Sequence, residues 1–292
     1  MADLADRKAT PAGSRAAYRP AGTSDGPGVL PRLPILMYHQ IAADPQGARH
    51  LAVTPGDFAE QLAYLDESGY STLTAADLAC SMAGRTGPWP ARPVVLTFDD
   101  GFADFHRAAL PLLVRHGFTA TVFVTTGWTA DAAARSDRGA PDSMLCWSQI
   151  RESVAAGIEI GAHTHRHPQL DQLAAGALRE ELEDSRALLE DGLGQPVTGL
   201  AYPFGYSNTR VRAAAPAAGY EYACAVGNRF AGRQADRFAL PRLTIGRHTS
   251  MPGFIRIVRG ERLPPEFLAY RAMTAGWSAV RHARSMLNRI AQ

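Results

Sequence analysis

Pro93-Val94-Val95-Leu96-Thr97-Phe98-Asp99-Asp100-Gly101 decides how the rest of the chain is read. A β-branched apolar run stops abruptly at two carboxylates and a glycine. Such a run, bounded by turn formers, reads as a buried strand. Both faces are apolar, which suits a parallel strand covered on each side. Asp99 and Asp100 then fall at its C-terminal end, where α/β sheets and barrels keep their active sites. Two neighbouring acids repel and are costly to bury unless something positive lies between them. A metal cation would serve. The alternative is an Asp-Asp-Gly turn that merely ends the strand.

Outward from this stretch, strands alternate with helices. Upstream, residues 33–39 form a short apolar strand ending in His39, either a turn residue or a proton donor facing the same site as Asp99. An amphipathic helix from Asp57 repeats Phe58, Leu62 and Leu65 and stops at Gly69. Thr72-Leu73 is a brief strand, and Thr74 caps a helix through Leu78. Residues 84–93 are Gly/Pro-rich and form a loop. Downstream come a helix over 108–116, a strand over 119–124 and a long polar loop over 128–142 at the acidic end of the sheet. A helix over 147–156 leads to a strand over 157–162, which runs into His163-Thr164-His165-Arg166-His167-Pro168. A charged helix over 174–189, strands over 197–202, 222–226 and 240–245, and a helix over 211–218 complete the pattern. Such alternation implies βαβ crossovers and a parallel sheet or barrel. No internal repeat or second domain boundary interrupts it.

Composition bounds the rest. The 292 residues are 46% hydrophobic and 20% charged, enough for one large α/β domain. A formal net charge of +2 implies no strong nucleic-acid field. The 3 cysteines, Cys80, Cys146 and Cys224, are scattered and cannot all pair, so they read as core thiols in a reducing compartment. Residues 1–32 read as a disordered arm without the apolar core of a signal peptide. No window is long and apolar enough to span a bilayer. These features point to a cytoplasmic protein. Residues 265–292 read as a basic helix, with Arg271, Arg281, Arg284 and Arg289 beside Phe267, Met273, Trp277, Val280 and Leu287. It either packs on the outside of the barrel or contacts an anionic membrane surface.

His163 and His167, with three residues between them after a strand, can bring two imidazoles to one cation. With one carboxylate they make a two-His, one-Asp set that leaves positions open for water and substrate. Zn²⁺ is the default for these ligands, and Fe²⁺, Co²⁺ or Ni²⁺ would fit. Histidines in a surface loop before Pro168 are the alternative, and the Asp-Asp pair at another strand end weighs against it. His165 is the odd histidine and points away.

The chain resembles the polysaccharide deacetylase family, carbohydrate esterase family four. Thr97-Phe98-Asp99-Asp100-Gly101, His163-Thr164-His165-Arg166-His167 and Tyr202-Pro203-Phe204-Gly205 carry the resemblance, which covers roughly residues 33–245. It implies an α/β fold, an irregular (β/α) barrel of about seven parallel strands in a single domain over residues 33–264. It also implies metal-dependent hydrolysis of an N-acetyl group on an amino sugar, with an N-acetylated carbohydrate and no nucleic acid as partner. By the resemblance, Asp100, His163 and His167 are the metal ligands and Asp99 the general base. Thr164 braces the histidine loop, and the Phe204 N–H faces the oxyanion. Leu36-Met37-Tyr38-His39 is similar to the branch containing biofilm-glycan N-deacetylases, where this histidine is the general acid. His248 is the second candidate. Trp128 and Trp147 are candidates for stacking on sugar, with core packing as the alternative.

One departure stands out. Many family members have, three residues before the third motif's aromatic, an arginine that tethers the base. Here that residue is Ala201, and no Asp-rich fourth motif follows. The tuning of Asp99 is therefore left without a residue. A non-sugar amide as substrate, or a catalytically silent carbohydrate-binding domain, are the competing readings; the retained Asp99 speaks against the second.

Overall fold

Strand β3 (Pro93–Phe98) is buried at every position, and its two faces enter two different cores. Val94, Leu96 and Phe98 join an outer core, and Val95 joins an inner one. A strand apolar on both faces needs cover on both sides, which a barrel ringed by helices supplies. The computed structural model describes residues 32–46, 48–85, 89–133, 142–232, 235–261, 263 and 267.

In chain order the elements are β1 (Ile35–Tyr38), α1 (Pro55–Glu67), β2 (Ser71–Leu73), α2 (Ala75–Met82), β3, α3 (Leu110–His116) and β4 (Thr121–Val124). There follow α4 (Ala130–Ala133), α5 (Trp147–Ala155), β5 (Glu159–Ala162), α6 (Ala175–Leu193), β6 (Gly199–Ala201), α7 (Thr209–Ala217), β7 (Tyr222–Val226), β8 (Leu240–Thr244) and α8 (Met251–Val258). The strand order β1-β8-β7-β6-β5-β4-β3 closes on itself through β1–β3, with Ile35 opposite Val95 and Tyr38 opposite Phe98. Seven parallel strands thus make an irregular (β/α) barrel. The short β2 pairs with the first half of β3 outside that ring.

Side chains alternate between the two faces of a strand. Ile35, Val95, Phe123, Ala201, Tyr222, Cys224 and Leu240 form the inner core, and α2 contributes Ala75, Leu78 and Ala79 to it. The outer core includes Leu36, Tyr38, Leu96, Val122, Ile160, Leu200, Ala223 and Leu243, beneath the helices. Counting on by twos from the inner row carries β1 to His39, β3 to Asp99, β5 to His163, β7 to Asn228 and β8 to Arg242. This parity brings residues far apart in sequence to one barrel mouth.

Three expectations change. The helix over 108–116 begins at Leu110, because Phe105–Ala109 forms a π turn ahead of it. Helix α8 lies where no helix was expected: Met251-Pro252-Gly253 looks like a turn, yet Ser250 caps the helix and proline is tolerated in its first turn. Cys80 and Cys146 are half-buried, so of the three thiols Cys224 alone lies deep in the core. The arm over 1–31 and nearly all of the helix expected over 265–292 lie outside the described residues, apart from the buried Phe267. Among the described residues, no helix is long and apolar enough to cross a membrane.

Candidate active site

Asp99 is 3% exposed, and Arg242 is fully buried beside it. The guanidinium grips the carboxylate with both prongs: Nη1 donates to Oδ1 at 2.6 Å and Nη2 to Oδ2 at 2.7 Å. Arg242 also donates through Nη1 to Thr97 Oγ1 and through Nε to the Ala225 carbonyl. This is the tether that Ala201 left unaccounted for, supplied from β8 instead. Burial pushes the Asp99 carboxyl up, but Arg242, His163 and His39 outweigh it and hold it below the usual carboxylate range. Asp99 is thus held as a buried carboxylate rather than a neutral acid.

Asp100 turns the other way. Its φ of 74° bends the chain at the strand end and points the carboxylate at the histidine loop. Its Oδ1 lies 3.4 Å from His163 Nε2 and 3.3 Å from His167 Nε2, yet is buried without a hydrogen-bond partner. The three donor atoms lie within 4.8 Å of one another. Two ligands each about 2.1 Å from one ion at a tetrahedral angle are about 3.4 Å apart. His163 Nδ1 is 2.8 Å from the Ala201 carbonyl, which can only accept, so that nitrogen carries a proton and Nε2 of the neutral ring is the atom left to bind a cation. An orphaned carboxylate oxygen facing a free imidazole lone pair fits a divalent cation. Burial pushes the Asp100 carboxyl up, while His163, His167 and His39 pull it well below the ordinary range.

The histidine loop is held from three sides. Thr164 Oγ1 accepts the His167 N–H at 3.1 Å, across residues at φ 66° and 58°. Glu181, a buried acid of α6, accepts the N–H groups of His165 and Arg166 at 2.9 and 2.8 Å. Gly127 donates its N–H to the His165 carbonyl, and a Cβ there would lie 2.5 Å from that oxygen. His165 Nδ1 pairs with Thr126 Oγ1 and takes no part in the donor set.

A cavity of about 760 Å³ opens over these groups, lined by His39, Asp99, Asp100, His163, His167 and Phe204 among others. Trp128, His167, Phe204 and Tyr206 run ring to ring along one wall, with centroids 4.8, 4.7 and 5.6 Å apart. Phe204 sits at φ 59° in the turn Pro203–Gly205, and its ring is half exposed. His39 lines the cavity with Nδ1 buried and unpartnered. Burial lowers its pKa, and Asp100 and Asp99 pull against that. His248 lines the same cavity from an exposed turn. Trp147 does not line it, and its ring packs on Gly192 of α6.

Arg242 and Glu181 were missed by sequence reasoning, though both left a signal. Arg242 is a charge at an inward position of an otherwise apolar strand. Glu181 lies on the buried stripe Leu178, Leu182, Ser185 and Leu189 of its helix. A charge at a core position needs a partner.

A (β/α) barrel with two carboxylates and two histidines at its C-terminal mouth defines a hydrolase-type site with room for one cation. The polysaccharide deacetylase family model matches residues 86–223. The putative polysaccharide deacetylase YxkH of Bacillus subtilis (strain 168) is 29% identical over 214 residues, 73% of this chain and 71% of that protein. The poly-beta-1,6-N-acetyl-D-glucosamine N-deacetylase of Escherichia coli (strain K12) is 28% identical over 151 residues, 49% of this chain but 22% of that protein. Among solved structures, the Streptococcus pyogenes deacetylase PplD in complex with acetate superposes with a TM-score of 0.69 at 27% identity. That match covers 79% of this chain and 98% of PplD. Residues 86–223 thus match a polysaccharide deacetylase domain, and the chain as a whole is similar to deacetylases of that family in sequence and in fold.

Proposed function

We propose that this chain hydrolyses the N-acetyl group of an amino sugar in a glycan, glycolipid or glycosylated precursor, with a divalent metal, Zn²⁺ foremost. The observation that carries the reading is the orphaned Asp100 Oδ1 set against His163 and His167, next to an Asp99 clamped by Arg242. The similarity to the Escherichia coli poly-beta-1,6-N-acetyl-D-glucosamine N-deacetylase supports an N-acetylglucosamine polymer as the substrate class.

Asp100, His163 and His167 would hold the cation, which would supply Lewis acidity to a water and to the amide carbonyl. Asp99, kept ionised by Arg242, takes the proton of the attacking water. The Phe204 N–H, exposed by its tight turn, donates to the developing oxyanion. His39 hands a proton to the departing amine, and its unpartnered Nδ1 suits that task. The exposed His248 is the second candidate. Trp128, Phe204 and Tyr206 offer rings on which a sugar stacks. A cavity of about 760 Å³ has room for more than a small ureide or imide, which disfavours the non-sugar amide.

The test is acetate release from chito-oligosaccharides, a nucleotide-linked N-acetylglucosamine, an N-acetylated glycolipid and a non-sugar acetamide. Release from a sugar, lost in Asp99→Asn, supports the proposal. Release from the non-sugar amide alone refutes it.

A further inference from the structure

Beyond β7, the inward row Tyr222, Cys224, Val226 continues to Asn228, which lines the cavity with Asp99, Phe204 and Thr244. Asn228 is 4% exposed and sits at φ 43°. Five non-glycine residues of the described chain have positive φ. The other four are Asp100, Thr164, His167 and Phe204, all in the site motifs. Backbone held in this sparsely populated region clusters at functional sites, and asparagine tolerates it better than most residues.

The side chain is oriented before any ligand arrives. The Asn228 N–H donates to the Arg242 carbonyl at 2.9 Å, and Oδ1 accepts the Thr244 N–H at 3.0 Å. The carboxamide oxygen must face that backbone donor, so the NH₂ points the other way. Among the described residues Nδ2 has no partner. The donor opens on the cavity and is available to an acceptor on a bound ligand. In the ring of strands, β7 lies between β6, which leads to Phe204, and β8, whose other neighbour β1 leads to His39. Asn228 therefore sits at a strand end between those that carry Phe204 and His39, the groups proposed for the oxyanion and the leaving amine.

We propose that Asn228 Nδ2 donates to a hydroxyl oxygen of the sugar, on a ring carbon neighbouring the N-acetyl group, and so determines which N-acetylated sugars are accepted. This rests on the amino-sugar reading of the site. A fixed donor discriminates strongly against an analogue lacking its acceptor.

The test compares kcat/KM for acetate release by the Zn²⁺-loaded wild type, Asn228→Asp and Asn228→Gly. Substrates are an N-acetylglucosamine oligosaccharide and its monodeoxy analogues. Asn228→Asp keeps the acceptor for Thr244 and loses the donor; Asn228→Gly keeps the left-handed backbone and adds no charge. Both variants are expected to lose about tenfold or more on the parent sugar, with zinc stoichiometry unchanged and both still folded at the assay temperature. On one deoxy analogue, wild type and variants should perform alike. Variants within about twofold of wild type on the parent, or an equal loss on every analogue, would overturn the proposal. A wild type that binds zinc but releases no acetate from any of these sugars would be a different outcome. It would refute the amino-sugar reading, and this inference with it.

Discussion

Arg242 and Asp99 meet through two parallel charge-assisted hydrogen bonds, with Arg242 sealed in the barrel interior and Asp99 open only to the cavity. Removing one partner strands the other's charge. Arg242→Met is expected to destabilise the fold by about 3–5 kcal/mol, measured by chemical denaturation. The folded Asp99 carboxyl lies below its usual value. Its contribution to stability is thus present above the unfolded carboxylate pKa, about 4, and is lost as pH falls through the folded value. Loss of Arg242 raises the folded pKa. The acid limb of the kcat/KM profile should then move to higher pH, and an unmoved limb would deny Asp99 the role of base.

Glu181 acts at one remove from the site, by holding two backbone N–H groups of the histidine loop. Glu181→Ala leaves both donors buried and frees the loop. Zinc affinity, measured by competition with a chelator, should fall about 10–100-fold. Glu181→Gln keeps an acceptor and should fall less.

Gly205 follows Phe204 at φ 72°, and a Cβ there would collide with Val226 of β7. Gly205→Ala should cost about 1–3 kcal/mol in stability. Acetate release should fall further than the loss of folded protein explains, because the turn that presents the Phe204 N–H is displaced.

Trp128 lies against the His167 ring at a tilt and lines the cavity. Trp128→Ala should raise KM for oligosaccharides more than it lowers kcat. An equal fall in kcat with KM unchanged would place Trp128 in support of the histidine loop instead.

The barrel was legible from β3, because a strand apolar on both faces has few ways to be covered. The donor set was legible from two short motifs, because Asp100, His163 and His167 lie at strand ends where alternation and local turns fix their direction. Arg242 was hidden by distance: it comes from β8 and meets β3 only when the barrel closes through β1. Glu181 was hidden by its helix, whose charged surface drew attention from one acid on the buried stripe. Helix α8 was hidden by a proline and a glycine that fit its first turn as well as they fit a loop.

The most direct measurement is acetate release from an N-acetylglucosamine oligosaccharide by metal-stripped protein, before and after one equivalent of Zn²⁺, beside Asp99→Asn treated alike. The expected result is no release without metal, release on reloading, and none from the variant despite bound zinc. Release by the stripped protein, or undiminished release by Asp99→Asn, would contradict a metal-dependent deacetylase that works through Asp99.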